Sequence, residues 1–77
     1  MKIVIYGSGC PNCQRVEALV RTTASSLGID AEIEKVSNLQ AIAAAGVLGT
    51  PAVSIDGVVK VAGRVPTARE VEAWLTG

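Results

Sequence analysis

Histidine and phenylalanine are absent from this chain, and Tyr6 and Trp74 are its entire aromatic content. A core for 77 residues must therefore come from Val, Ile, Leu and Ala, which suits a small sheet covered by helices. There is no excess of either charge: seven basic residues balance seven acidic ones, scattered along the chain. The basic stripe that nucleic-acid binding requires is missing, which sets that class of partner aside. No apolar run reaches membrane-spanning length, so no membrane association is expected. Met1-Lys2 passes directly into strand residues, with no charged stretch and apolar signal segment ahead of them. The expected setting is the cytoplasm, where a lone disulfide is usually transient and catalytic or redox-sensing. The length has room for one domain, residues 1–77, expected to act as a monomer.

Ile3-Val4-Ile5-Tyr6 is a continuous apolar run, the pattern of a central strand buried on both faces. A helix follows, with Val16, Leu19, Val20, Thr23, Ala24 and Leu27 at helical spacing and Glu17 placed to pair with Arg21. Gly28 stands where a helix C-terminus favours a left-handed residue. Ala31 to Val36 alternates as an edge strand, with Glu32 and Glu34 outward to discourage edge-to-edge pairing. Ser37 and Gln40 read as a capping box for a short helix, Asn38 to about Ala45, ending at Gly46. Ala52 to Ile55 and Val58 to Val61 are strands joined by Asp56-Gly57, a strong hairpin signal. Thr67 and Glu70 form another capping box, opening a helix whose apolar face is Val71, Trp74 and Leu75. The order is β-α-β-α-β-β-α, and a right-handed crossover makes the first two strands parallel.

Both cysteines lie in GSGCPNCQ, residues 7 to 14, between the first strand and the first helix. Cys10 falls at the N-cap and Pro11 at the first helical position, where a missing N–H is harmless. Cys13 lies one turn on, on the same side of the helix, within disulfide reach. The free N–H groups of Asn12 and Cys13 point toward the Cys10 sulfur, and the helix dipole favours its thiolate. A thiolate is the attacking species in disulfide exchange. Cys10, at the tip, is the expected nucleophile, and the more inward Cys13 the resolving thiol.

Two other roles are open to this pair. A structural staple across so short a loop contributes only about 2 kcal/mol before strain, and it joins no distant segments. A metal site is the stronger rival. Zinc would need carboxylates or a second chain, because there is no His and no second cysteine pair, but two thiolates suit a soft ion such as Cu(I). Small heavy-metal-associated domains also place Cys-x-x-Cys after a first strand. They usually carry Met before the first cysteine, where this chain has Ser8-Gly9, and they end in a strand. Gly7-Ser8-Gly9 lacks the rest of a nucleotide-binding fingerprint and reads as a tight turn.

Gly49-Thr50-Pro51 immediately precedes the third strand. Cys-x-x-Cys at the start of the first helix, Pro before the third strand and this element order together resemble the thioredoxin superfamily. The resemblance runs from Lys2 to Leu75 and is to the minimal, glutaredoxin-sized form. More closely, IYGSGCPNC, GTPAVSIDG and AGRVP look like the small proteins called redox-active disulfide protein 2. The resemblance implies an α/β fold with four mixed strands in the order 2-1-3-4 and helices on both faces. It implies thiol–disulfide exchange with a partner protein, a recycling reductase, and no cofactor or resident metal; the modest thiolate stabilisation expected of a helix N-terminus alone points to the reducing direction. Cys10 and Cys13 match the redox pair, and Pro51 the cis-proline beside it. Thr50 matches the residue whose backbone pairs with substrate, and Pro11 and Asn12 complete the expected contact surface.

The chain also departs from the family pattern. No acid lies on the strand leading into the motif, no Trp precedes Cys10, and no His lies between the cysteines. Ala62-Gly63-Arg64-Val65 lacks the second glycine and the acids of glutaredoxins, which argues against glutathione binding; Gly63 reads as a strand end or a bulge. Tyr6 and Trp74 read as packing residues, and Arg15 as a solvated helix-surface cation.

Overall fold

The structure is a computed structural model that describes residues 1–76. Its elements are β1 (Lys2–Tyr6), α1 (Pro11–Ser26), β2 (Glu32–Val36), α2 (Leu39–Ala44), β3 (Ala52–Ile55), β4 (Val58–Ala62) and α3 (Ala68–Thr76). They form one four-stranded sheet in the order β2-β1-β3-β4, as the resemblance implies. β1 and β2 are parallel, joined across α1, while β3 runs antiparallel to β1 and β4 to β3. Asp56 and Gly57 both take positive φ, 50° and 89°, the requirement of a two-residue hairpin turn.

The sheet is covered unequally. On one face Ile3, Ile5, Val53, Ile55 and Val61 pack with Val16, Val20 and Ala24 of α1 and Val71 and Leu75 of α3. Leu19, Ile33 and Trp74 flank that core, so Trp74 packs as expected. On the other face Ile42 of α2, Val47 and Ala52 form a small cluster against Tyr6 and Val36. Tyr6 is therefore a packing residue.

The expectation that β1 is buried on both faces is only half met. Ile3 and Ile5 are buried, but Val4 and Tyr6 are partly exposed, because six-residue α2 is too short to cover its face. The cap of α2 also differs. Asn38, not Ser37, is its N-cap, and its Oδ1 accepts from the N–H groups of Gln40 (2.8 Å) and Ala41 (3.1 Å). Asn is among the best N-cap residues, and Ser37 lies one position too early to reach those donors. The irregularity in the hairpin sits on β4, before Gly63. Val53 pairs with Val61 and Ser54 with Val59, so Lys60 is the extra residue of a bulge.

The Thr67–Glu70 capping box forms as read. Glu70 N–H donates to Thr67 Oγ1 (3.1 Å) and Thr67 N–H to Glu70 Oε1 (2.9 Å). Arg64 adds a two-pronged bond to the same carboxylate (2.9 and 2.7 Å). The Arg64 guanidinium, with Thr67's N–H next, lowers the Glu70 pKa from its ordinary 4.5 to about 2. A depressed folded-state pKa contributes stability that is present above the unfolded value and is lost as pH falls through the folded one. Between pH 4.5 and about 2, Glu70→Gln should thus lose less stability than the parent chain, as urea unfolding at stepped pH would show. Parallel pH slopes for the two proteins would contradict this.

Candidate active site

The parallel pairing of β1 with β2 runs one residue past the strand, through Gly7 N–H to the Val36 carbonyl (2.9 Å). The chain then turns through Ser8 and Gly9 and enters α1 at Pro11. Cys10 is the N-cap in extended conformation (φ −67°, ψ 164°), and its sulfur accepts the N–H of Cys13 at 3.2 Å. Sulfur here replaces the oxygen that usually caps a helix. Gln14 N–H to the Cys10 carbonyl (3.0 Å) closes the first turn. Pro11 and Asn12 are exposed at the tip and Cys10 is half-buried, whereas Cys13 is only 6% exposed.

Both cysteines are free thiols with opposite leanings. The Cys10 pKa is lowered by the hydrogen bond from the Cys13 side chain and then by the Cys13 N–H, with Asn12 N–H adding to it. The Cys13 pKa is raised by burial first and then by its bond to the Cys10 sulfur; the Cys10 N–H and, less, the Ser8 N–H act the other way. Of the two thiols, Cys10 is therefore the one that gives up its proton more readily.

The Thr50–Pro51 peptide is cis. Tyr6 pairs with Ala52, so the antiparallel register carries Pro51 to the position beside Gly7, at the end of the sheet that holds the cysteine turn. Pro51 is buried and Thr50 exposed. The Gly63 N–H donates to the Pro51 carbonyl (2.9 Å), and a Cβ on Gly49 would stand 3.2 Å from the Gly63 Cα. The 49–51 loop is thus pressed against the end of β4.

The structure gathers Cys10, Cys13, Pro11, Asn12, Thr50 and Pro51 at one end of the sheet. Arg15 is exposed and stands outside any ion pair among the described residues. Sequence reading missed the cleft of about 320 Å³ beside Cys13, lined by Gly7, Ser8, Gln14, Glu17 and Lys35 among others. Glu17 makes the expected bond to Arg21 (3.0 Å) but also reaches Lys35 of β2 (3.2 Å), a long-range pairing that helix periodicity does not reveal. Among the described residues no group of three or more His, Cys, Asp or Glu is placed to hold a metal ion.

Two neighbouring thiols, one inclined to lose its proton and the other to keep it, can give up a pair of electrons and take it back by closing and opening a disulfide. Carried on this sheet, that capacity makes the chain a thiol–disulfide oxidoreductase. The family model described as a thioredoxin domain matches residues 1–76. The thioredoxin of Methanothermobacter thermautotrophicus is 43% identical over 76 residues, covering 99% of both chains. That of Methanocaldococcus jannaschii is 40% identical over 73 residues, covering 95% of this chain and 84% of its own. The chain belongs to the thioredoxin family.

Proposed function

We propose that the 77 residues act as one monomeric unit that reduces disulfides of partner proteins in the cytoplasm and is returned to the dithiol by a reductase. The Cys10 thiolate attacks a partner disulfide and displaces one partner sulfur, leaving Cys10 in a mixed disulfide. Cys13 then loses its proton and attacks the Cys10 sulfur, releasing the second partner sulfur and closing Cys10–Cys13. The partner has gained two electrons and two protons, and no cofactor takes part. The observation that carries this reading is the Cys13 N–H on the sulfur of Cys10, with Cys13 itself buried.

The surroundings supply the rest. Thr50 is exposed, and its peptide groups make no main-chain hydrogen bond among the described residues, which suits pairing with an extended partner segment. Leu48, fully exposed two residues earlier, offers an apolar contact beside it. β1 carries no acid to take the Cys13 proton, and the cleft beside Cys13 gives that proton a route to solvent. Both sheet edges are guarded, β2 by Glu32, Glu34 and Lys35 and β4 by the Lys60 bulge, which favours the monomer.

The test is exchange with a disulfide-bonded protein such as insulin, using the chain reduced beforehand and purified anaerobically. Loss of both thiols in step with insulin reduction, with no bound metal, is the expected result. Stoichiometric Cu(I) or zinc that survives dialysis would overturn the proposal in favour of a metal carrier, and absence of exchange without metal would overturn it in favour of a redox-inactive interaction module.

A further inference from the structure

Gly7 lies just before the redox turn, and its backbone does not need glycine. Its φ is outside the left-handed region, unlike that of Gly9 at +85°. What Gly7 lacks is space. A Cβ there overlaps the Cys13 sulfur and stands 2.9 Å from the Cys13 Cβ, while one on Gly9 meets nothing within 4 Å. The Gly7 main chain cannot easily retreat, because its N–H is held by the Val36 carbonyl at 2.9 Å.

We propose that the side-chain-free face of Gly7 is the resting place of the reduced Cys13 sulfur, so that Gly7 sets the balance between dithiol and disulfide. In the dithiol the sulfur occupies the volume that a methyl at position 7 would fill. Closing the disulfide brings that sulfur to about 2.05 Å from the Cys10 sulfur, and in the proposed geometry this shift takes it off the Gly7 face. A methyl group at position 7 therefore crowds the dithiol more than the disulfide. Gly7 is a positioning residue that acts through Cys13 and keeps the reduced form accessible. The proposal rests on the redox role of the pair but not on which cysteine attacks.

The measurement is the equilibrium with glutathione, in which the Cys10 and Cys13 thiols give two electrons and two protons to glutathione disulfide, forming one internal S–S bond and two glutathione thiols. Gly7→Ala should raise the equilibrium constant for the internal disulfide about tenfold, a midpoint about 30 mV more negative. An unchanged constant, or a shift toward the dithiol, would overturn the proposal. Being an equilibrium, this result is independent of the attack order, so exchanged cysteine roles would leave it standing. Should Gly7→Ala unfold the dithiol outright, Gly7→Ala/Cys13→Ala covers that case. Removing the sulfur should restore folding there, and a double variant as unstable as the single one would place the cost in the Cys13 Cβ or the backbone rather than the sulfur and refute the role.

Discussion

Cys13→Ser accumulates mixed disulfides with partner proteins through Cys10, whereas Cys10→Ser barely forms them. The difference should be at least about tenfold in trapped complex, because only a thiolate attacks and only an accessible sulfur is reached. Cys10 has both qualities, being half-buried at the helix tip and having its pKa lowered by the Cys13 side chain and N–H. Cys13 has neither, since it is 6% exposed and burial holds its proton. Serine at position 13 keeps a hydroxyl in place of the thiol and leaves the Cys13 main-chain donor intact. Attack thus survives while resolution stops. Incubating each variant with a disulfide-bonded substrate and separating the products without reductant gives the answer. Equal trapping by the two variants would reverse or erase the division of labour.

Most of this site follows from short-range rules. N-cap preference, proline at the first helical position and a three-residue spacing place both sulfurs without any knowledge of the sheet. The Asp56-Gly57 hairpin and the Thr67–Glu70 box are equally local, and both form as read. Pro51 needed the family resemblance, because Thr-Pro before a strand is a common turn. What stayed hidden depends on distant residues. Val4 and Tyr6 look as buried as their neighbours until the shortness of α2 leaves them partly open. Glu17 finds Lys35 only once β2 is placed beside α1. Gly7 reads as a turn residue, and its closeness to Cys13 appears only when the strand end and the helix start are both fixed in space. Asn38 is a different kind of miss, a local choice between two adjacent cap residues that the structure settles by donor reach.

The midpoint potential of the Cys10–Cys13 pair should lie nearer the roughly −270 mV of thioredoxin than the ~−120 mV of a strongly oxidising disulfide donor. These values differ by roughly 150 mV, about five powers of ten in equilibrium constant, so the outcome is easily read. An oxidising site owes its potential to a strongly stabilised thiolate, which makes the reduced form the favoured one. Here the stabilisers of Cys10 are its neighbour's thiol and the N–H groups of Cys13 and Asn12, partly opposed by burial. No histidine exists in the chain, Pro11 withdraws one of the helix's free donors, and Arg15 is exposed to solvent. The helix terminus itself acts within its first turn and is screened by salt. The room at Gly7 eases the dithiol somewhat, but the tenfold effect argued for it is small beside five powers of ten. A weakly held thiolate means electrons are readily given up, as a reductant in a reducing compartment requires. Titration against dithiothreitol and glutathione buffers, reading free thiols after acid quenching, measures the value. A midpoint above about −180 mV, that of protein disulfide isomerase, would mean that the reduced form is held by more than these contacts supply, and the proposed direction of electron flow would have to be reversed.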